Sequence, residues 1–385
     1  MTVGSHGSGQ LPLRMLLRGV VDAAEPPSRA RLAVATGLSP ATVSVAVDQL
    51  IEAGLVTELA PVLTRRAGRP AVPLAPAAGT VVGVGLQVDG AHIGIRVVDL
   101  AGSVVAEAVD YADQRGVDPV VTLDRLVTLA DPVLTALGDQ GVRFAGATLA
   151  VPGLLSADGR VRSAHDLGWR EVDIARLLRT DPGLAALDPT VANDAVLAAC
   201  AELRVRADNS FVYVCGETSV AGALVVDRQV RAGGRGWAPA LGHLVVDPGR
   251  AAGTLDAVAG PDALLRAAGI DPAQRVPALV AALEADDLVA RAAVVHAGQA
   301  LGAALTCVVQ ITDVPTVVLA GAYWALAERL APHVLTELRR HVVFAPWTEF
   351  TVDRSAAGDL PALTGAAWAS LERVLDNPGV FIAGL

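Results

Sequence analysis

A repeated order of strand-like and helical segments is the feature that most restricts how this chain can fold. Three strand-like runs follow one another over residues 81–109, a helical stretch covers 118–137, and an apolar run at 146–151 is typical of a central strand. The order returns in the second half, with strands at 210–215, 222–226 and 229–231, helices over about 262–312 and a central strand at 316–319. Two similar α/β halves are therefore predicted, built by duplication of one strand-meander-then-helix unit.

Length and composition indicate that most of the chain folds. It has 385 residues, of which 52% are hydrophobic and 18% charged, enough for two or three domains and too apolar to stay disordered. The most apolar stretch, 301–319, is interrupted by Gln310, Asp313 and Pro315, and residues 1–10 do not resemble a secretory signal. The prediction is a cytoplasmic protein without a membrane span.

The cysteines and charges exclude several kinds of site. Cys200, Cys215 and Cys307 lie far apart without paired spacing, which favours buried thiols over disulfides or a zinc cluster. No cofactor or metal is predicted. The net charge is −10 and the chain contains no lysine, but residues 1–80 hold seven arginines and five acids, which gives +2 there and −12 elsewhere. Such an asymmetry is one weak sign of a nucleic-acid-binding arm on an acidic body.

Residues 28–54 contain the start and stop signals of two short helices. Ser28 can cap a helix over 29–36, which Gly37 ends. Ser39 can cap the next helix, which has a proline at its first position and runs over 40–53. Two helices joined by a short glycine turn are typical of a helix-turn-helix.

The flanking segments extend this pair to a winged helix. Apolar residues at helical spacing over 11–24 predict a preceding helix, and a strand-like stretch at 55–59 is followed by an arginine-rich loop at 65–70. A helix pair of this kind places its second helix in the major groove, and the loop can reach phosphates or the minor groove. The predicted DNA contacts are Ser39, Thr42, Ser44, Gln49, Arg65, Arg66 and Arg69. The alternative is a trihelical domain used for protein contacts.

Beyond a proline-containing linker at 71–80, the residues alone leave the chemistry open. The strand-turn-strand segments at 81–90 and 216–223 suit either phosphate-cradling turns or ordinary hairpins. Asn193 and Asp194 open a helical stretch, where they can act as caps or bind a polyol. His243 is a lone histidine that can equally be structural.

The order of segments resembles the ROK family of repressors, open reading frames and sugar kinases, in particular its transcriptional regulators. The resemblance rests on the helix pair, Gly68-Arg69-Pro70-Ala71, Val151-Pro152-Gly153-Leu154, Leu167-Gly168-Trp169, the 191–202 and 216–234 segments, Leu241 to Asp247, and Val317 to Gly321. It covers nearly the whole chain. It implies an N-terminal winged helix-turn-helix followed by a C-terminal α/β sugar-kinase-like domain of the actin-like, ribonuclease H-like class, with two lobes. The implied boundaries are a flexible N-terminus at 1–10, the winged helix at 11–70, the linker at 71–80, and lobes of about 81–190 and 191–385.

Measured against the family pattern, the phosphate-binding turns are degenerate. The aspartate that family kinases carry in the first turn is matched to Gly85, and the second turn contains Glu217, which would repel a phosphate. Asp194 matches the family's catalytic base and Asn193 its hydroxyl-binding neighbour. The resemblance therefore implies a pseudokinase in which Asp194 is a vestigial base.

The resemblance also implies a polar ligand set. Asp166 stands where the family commonly has asparagine, Asp256 where it has a second glutamate, and His243 is retained. Ala240 replaces the first glutamate, and the cysteines of the family's zinc site are absent. The implied ligand residues are Asp166, Asn193, Asp194, His243 and Asp256.

Three functional hypotheses follow. The first is a transcriptional regulator that binds double-stranded operator DNA as a homodimer or homotetramer and senses a sugar or sugar derivative. The second is an active sugar kinase with a DNA-binding appendage, and the third is a DNA-binding protein whose body has lost its ligand.

Overall fold

The N-terminal segment folds as a winged helix-turn-helix. The structure is a computed structural model that describes residues 7–61, 72–237, 239–249 and 253–383. The segment consists of α1 (Gly7–Val21), α2 (Arg29–Thr36), α3 (Pro40–Glu52), β1 (Val56–Glu58) and β2 (Leu74–Pro76). The two strands pair antiparallel, so they form the base of a wing.

The predicted capping signals produce the turn between α2 and α3. The Ser28 hydroxyl accepts from the Arg31 amide, and the Ser39 hydroxyl accepts from the Thr42 amide at 3.1 Å. Gly37 ends α2 with a φ of 71°, a left-handed conformation that glycine adopts without strain. The chain bends by 118° between the two helices, within the range of helix-turn-helix motifs.

Two boundaries differ from the sequence predictions. Helix α1 begins at Gly7, so four residues assigned to a flexible N-terminus are helical. The segment predicted as a linker contributes β2 to the wing. The Thr80 hydroxyl also donates to the Gly54 carbonyl at 2.5 Å. The winged helix is therefore fastened to the body at the point where the body begins.

The first lobe contains a five-stranded mixed sheet with the order β10-β6-β3-β4-β5. A smaller sheet, β7-β8-β9, lies beside the cleft. The elements of this part are β3 (Val81–Val88), β4 (Ile93–Asp99), β5 (Val104–Asp110), α4 (Pro119–Asp139), β6 (Arg143–Val151), β7 (Leu154–Leu155), β8 (Val161–Ala164), β9 (Trp169–Val172), α5 (Ile174–Leu178), α6 (Pro182–Ala186), β10 (Thr190–Asn193) and α7 (Asp194–Val205).

The second lobe repeats the plan with the order β13-β12-β11-β14-β15. In both lobes an antiparallel meander is followed by two strands parallel to its first strand, which confirms the predicted duplication. The elements are β11 (Phe211–Cys215), β12 (Ala221–Val226), β13 (Gln229–Val230), α8 (Leu255–Ala259), α9 (Pro261–Ala267), α10 (Arg275–Glu284), α11 (Leu288–Thr312), β14 (Thr316–Leu319), α12 (Ala327–His341), β15 (Thr351–Arg354), α13 (Pro361–Asp376) and α14 (Pro378–Ala383).

Helix α13 returns from the second lobe and packs on β3 of the first. It approaches so closely that a Cβ at Gly85 would lie 2.2 Å from the Leu363 carbonyl oxygen, and one at Gly365 would lie 1.8 Å from the carbonyl oxygen of Leu197. Strand β10 also belongs to the first sheet. The predicted boundary at 190/191 therefore does not separate the lobes cleanly.

The same helix carries the winged helix. Leu17, Leu50 and Leu371 share one apolar cluster that runs from the winged helix into α13. At its edge, Arg18 forms ion pairs with Glu372 at 2.7 Å and with Asp376 at 2.9 Å. The winged helix and the end of α13 thus form one packed unit.

Helix α11 is long and apolar enough, by length and composition, to cross a membrane, and it is the one single helix of this kind in the described ranges. However, 56% of its most apolar window is buried, and Leu301 and Leu305 belong to the core of the second lobe. These properties suit a central helix of a folded lobe.

Candidate functional site

Helix α3 presents a mixed surface on the side opposite its core contacts. Val43, Val47 and Leu50 are buried, whereas Thr42 and Gln49 are exposed. This exposure follows from helical periodicity, because the apolar residues occupy one face. Thr42 and Gln49 are accordingly accessible to a partner of α3.

The other two predicted contacts on this helix have structural partners. Ser39 caps α3, and its hydroxyl also lies 2.8 Å from the Thr42 hydroxyl. Ser44 is partly buried and accepts from Arg29, through its carbonyl at 3.1 Å and its hydroxyl at 3.3 Å. The Ser39 and Ser44 hydroxyls therefore stabilise the helix-turn-helix, and they also lie near its surface.

Sequence reasoning missed an acidic residue on the outward face. Asp48 is exposed on α3 and pairs with Arg29 at 2.7 Å, and Arg29 also pairs with Glu58 of β1 at 2.9 Å. The position of Asp48, one residue before Gln49, was a sufficient signal. The predicted wing residues Arg65, Arg66 and Arg69 lie outside the described residues.

Adjoining cavities lie between the two lobes, and two of them contain predicted ligand residues. The wide cavity, of about 600 Å³, is at the ends of β3 and β11, and the narrow cavity, of about 290 Å³, is beside the start of α7. Asp166 lines both cavities, Asp194 lines the wide one, and Asn193 and His243 line the narrow one. The structure therefore brings four of the five predicted ligand residues together.

Asp256, the fifth, lines neither of these two cavities. Its carboxylate accepts from the Val220 amide at 2.7 Å and so holds the turn between β11 and β12. Burial raises the pKa of this carboxyl. Asp256 therefore supports the β11–β12 turn, which borders the cleft.

Asn193 and Asp194 lie at the junction of β10 and α7. The Asn193 side chain accepts from the Val196 amide at 3.1 Å as a helix cap, and its amide nitrogen donates to the Gly153 carbonyl at 3.1 Å. Asp194 accepts from the Ala195 amide through one oxygen at 2.8 Å. Burial within the cleft raises the pKa of Asp194 to about 7, with a smaller contribution from the charge of Asp89. Asp194 can therefore exchange a proton near neutral pH.

Asp166 joins the lobes across the cleft. Its carboxylate accepts from the Thr218 hydroxyl at 2.8 Å and from the Ser219 hydroxyl at 2.5 Å. Because Asp166 follows β8 in the first lobe and both hydroxyls belong to the β11–β12 turn of the second, these bonds hold the cleft in its present width.

Gly85 does not lie in the cleft, in contrast to the sequence-based assignment. It faces α13, and even a Cβ has no room there. Side chains alternate between the two faces of a strand, so Gln87 lies on the same face of β3 as Gly85. Helix α13 does not extend over Gln87, and the Gln87 side chain therefore lines the wide cavity. The sequence predicts which residues of β3 share a face, but it does not predict where α13 covers that face.

The turn after β3 is organised by Asp89. This buried carboxylate accepts from the amides of Ala91 at 2.6 Å and His92 at 2.9 Å, and from the Gln87 side chain at 3.0 Å. The His92 Nδ1 lies 2.9 Å from it. Burial opposes protonation of His92, but the hydrogen bond and charge of Asp89 outweigh it and raise the pKa of His92. Asp89 is thus the structural centre of this turn.

The corresponding turn of the second lobe presents Glu217. Its side chain lines the wide cavity, and confinement there together with the charge of Asp89 raises the pKa of Glu217. Arg275, which sequence reasoning missed, donates to the Ala91 carbonyl at 3.0 Å and so also joins the lobes. An arginine at the start of α10 carries no sequence signal for this role.

The wide cavity is predominantly acidic. One arginine, Arg275, and one histidine, His92, face five carboxylates, which belong to Asp89, Asp166, Asp194, Glu217 and Asp359. Such a field disfavours a polyphosphate. Within the described ranges, no group of three or more His, Cys, Asp or Glu residues is arranged to hold a metal ion.

Comparisons with known proteins agree with the fold. The model described as ROK family matches residues 84–373. The xylose repressor of Bacillus subtilis (strain 168) is 24% identical over 223 residues, which cover 58% of this chain and 57% of the repressor. This chain thus spans little more than half the length of the first curated relatives it matches.

Two crystal structures share this fold, one over nearly the whole chain and one over about three quarters of it. A ROK family transcriptional regulator, described as a homologue of the Escherichia coli Mlc protein, superposes with a TM-score of 0.76 at 20% identity, covering 99% of this chain and 100% of that one. A ROK family glucokinase from Streptomyces griseus, in complex with glucose and AMPPNP, superposes with a TM-score of 0.64 at 20% identity, covering 76% and 99%. The predicted fold class, a winged helix before a two-lobed actin-like domain, is confirmed.

Proposed function

We propose that this chain, which belongs to the ROK family, is a DNA-binding transcriptional regulator. Its two-lobed body is proposed to sense a sugar or sugar derivative. One observation carries the proposal: the winged helix that presents the exposed recognition helix α3 is packed, through α1, onto the far end of α13, and α13 begins at the cleft. The name of the Bacillus subtilis relative, xylose repressor, supports repression as the mode of action.

The DNA contacts proposed for the winged helix fall into two classes. Thr42 and Gln49, which are exposed, are proposed to read base edges in the major groove, and Ser39 and Ser44 are proposed to orient the helix and reach the nearby DNA backbone. Arg65, Arg66 and Arg69 are proposed to contact phosphates or the minor groove. Because Asp48 is held by Arg29, its repulsion of the DNA backbone is reduced.

Coupling between cleft and DNA is proposed to run through α13. Pro361 and Ala362, at the start of the helix, line the wide cavity, and Glu372 and Asp376, in its last turns, hold Arg18. A ligand that changes the width of the cleft moves the first lobe, α13 and the winged helix as one body relative to the second lobe. The ligand must bind one of the two arrangements more tightly, and a coupling of about 1–3 kcal/mol suffices.

The proposed sugar contacts are Asp166, Asn193, Asp194 and His243, with Asp256 supporting the turn opposite them. A winged helix reads one half-site, so a homodimer or homotetramer is proposed to place two of them on a paired operator.

The competing function is sugar phosphorylation, and the position of Asp194 in the cleft with a pKa of about 7 favours it. The proposal is nonetheless a pseudokinase, because the turns that would cradle phosphates carry Asp89 and Glu217. ATP-dependent phosphorylation of a hexose, abolished by Asp194→Asn, would establish the kinase instead.

Capture of fragmented host genomic DNA by the full-length protein, followed by sequencing at a stated salt concentration, tests the regulator proposal. We expect a few sharp sites with paired half-sites. The double variant Thr42→Ala/Gln49→Ala should lose them, since it removes the exposed polar side chains of α3. The matched control Thr128→Ala/Gln140→Ala changes the same residue types on the exposed surface of the body and should retain them.

Two other outcomes contradict the proposal. Diffuse enrichment, or none, with wild-type protein would exclude sequence-specific regulation. Equal loss in both double variants would show that α3 does not read DNA. A triple Arg65→Ala/Arg66→Ala/Arg69→Ala variant should weaken binding at all sites and reduce its salt dependence, by about one unit of slope for each phosphate that the variant no longer neutralises.

A further inference from the structure

The wide cavity contains buried polar atoms without partners. Gln87 and His92 are 6% and 4% exposed, and both line the cavity. Gln87 donates its amide nitrogen to Asp89, which leaves its Oε1 without a donor; His92 directs Nδ1 to Asp89, which leaves Nε2 without a partner. Unpartnered buried polar atoms are costly, so these two atoms indicate a ligand that hydrogen-bonds to them.

The carboxylates around these atoms differ in how far the protein already satisfies them. Asp89 accepts four hydrogen bonds within its own turn, and Asp166 accepts two from the opposite lobe. Asp194 has one oxygen bonded to the Ala195 amide, and the Glu217 carboxylate accepts no hydrogen bond from the described residues. The free acceptors at this end of the cleft are therefore Gln87, Asp194 and Glu217.

Three ligand classes fit this set differently. A nucleotide would bring phosphates against five carboxylates. A bare metal ion needs converging ligands, and the described residues provide no such cluster. A neutral sugar would supply hydrogen-bond donors but no positive charge to match the ionised carboxylates. A primary ammonium supplies up to three donors and a positive charge together.

We propose that the wide cavity binds an amine-bearing sugar, with its ammonium group among Gln87, Asp194 and Glu217 and its hydroxyls toward Asp166, Asn193 and His243. This inference rests on the proposed sensing function and specifies its ligand class. The two cavities adjoin at Asp166, so one small ligand can span them. His92 Nε2 can pair with a hydroxyl of the same ligand.

Calorimetric titration of the full-length protein with glucosamine, glucose and Mg-ATP tests the inference. Because an ammonium group adds charge-assisted hydrogen bonds, glucosamine should bind at least about ten times more tightly than glucose, and Mg-ATP should not bind. In Glu217→Gln the preference for glucosamine should fall to about twofold or less. The control Asp227→Asn removes the same charge from the β12–β13 turn, at the opposite end of β12, and should keep the full preference.

Several results would overturn the inference. These are equal binding of glucosamine and glucose, binding of neither, binding of Mg-ATP, or the same loss of preference in Asp227→Asn as in Glu217→Gln. Genomic DNA capture with the same preparations keeps the two proposals apart. Sharp DNA sites without an amine preference would contradict the ligand class alone, whereas an amine preference without DNA sites would contradict the regulator.

Discussion

The two lobes share one strand order but use it differently. In the first lobe the central strand β3 carries Gly83 and Gly85 toward α13, whose backbone lies against them. In the second, the central strand β11 carries Val212 and Val214 into an ordinary apolar core. A helix in direct backbone contact with a sheet has little freedom to slide. The first lobe is therefore the rigid support of the winged helix.

The turns that follow the two central strands also differ, because the acid in the first turn is structural and the acid in the second is available to a ligand. Asp89 of the first lobe is buried and bonded on all sides, whereas Glu217 of the second projects into the cleft without a hydrogen bond from the described residues. The corresponding turns of the two lobes thus hold one structural acid and one available acid. The second lobe therefore supplies the responsive side of the cleft.

Gly85→Ala should have the largest effect, because it tests the close packing that is peculiar to the first lobe. A Cβ there meets the Leu363 carbonyl and the Ala367 amide nitrogen, so we expect the free energy of unfolding to fall by about 3 kcal/mol or more. Urea denaturation measures this. Gly138→Ala, in α4 with open space around it, is the matched control and should be neutral or stabilising by up to about 1 kcal/mol. If Gly85→Ala and Gly138→Ala changed the free energy of unfolding equally, the close packing at Gly85 would not be what stabilises the first lobe.

Asp89→Ala tests the structural acid. It leaves buried donors of the Ala91 and His92 amides and the Gln87 side chain unpaired, so we expect a loss of about 2–3 kcal/mol of unfolding free energy. Asp89→Asn keeps an acceptor oxygen and should lose less. Glu217→Ala, the equivalent change in the second lobe, should cost nothing measurable in the same denaturation experiment. A similar loss in both lobes would contradict the comparison.

Asp194→Asn should stabilise the protein in a pH-dependent manner. The folded state keeps the Asp194 proton up to about pH 7, whereas an ordinary aspartate loses it near 3.8. Ionisation therefore destabilises the fold progressively between these values, and at 1.4 kcal/mol per pKa unit the penalty is at most about 4 kcal/mol. We expect the variant to gain of order 2 kcal/mol at pH 8 and nothing near pH 4, measured as thermal unfolding at both pH values. A gain that does not change with pH would refute this assignment.

Glu217→Gln should give the smallest effect. The pKa of Glu217 is also raised, so its ionisation opposes folding above its ordinary value of 4.5. Contact with water in the cleft limits this opposition, and we expect a gain below about 1 kcal/mol at pH 8 that disappears near pH 4. A marked destabilisation instead would mean that Glu217, like Asp89, is structural.

Local signals in the sequence predicted much of the architecture. The serine caps and Gly37 located the helix pair, and the strand meanders located both sheets, because these features depend on neighbouring residues alone. The convergence of Asp166, Asn193, Asp194 and His243 followed from the family resemblance.

The features that the sequence did not predict depend on contacts between residues far apart in the chain. The pairing of β2 with β1 depends on a contact across the wing, and the interlobe role of Arg275 depends on how the halves close. Asp256, predicted as a ligand residue, holds the Val220 amide through one carboxylate oxygen and lines neither cavity.

The sequence by itself determined the winged helix, the duplicated α/β plan and the excess of acidic residues, since each is written in local periodicity, caps and composition. Only the tertiary structure decided which part of one face of β3 meets the cleft. Gly85 and Gln87 lie on one face of that strand, and the return of α13 from the far end of the chain covers the first and leaves the second open. Local sequence cannot encode that choice, because it depends on the packing of residues nearly 300 positions apart.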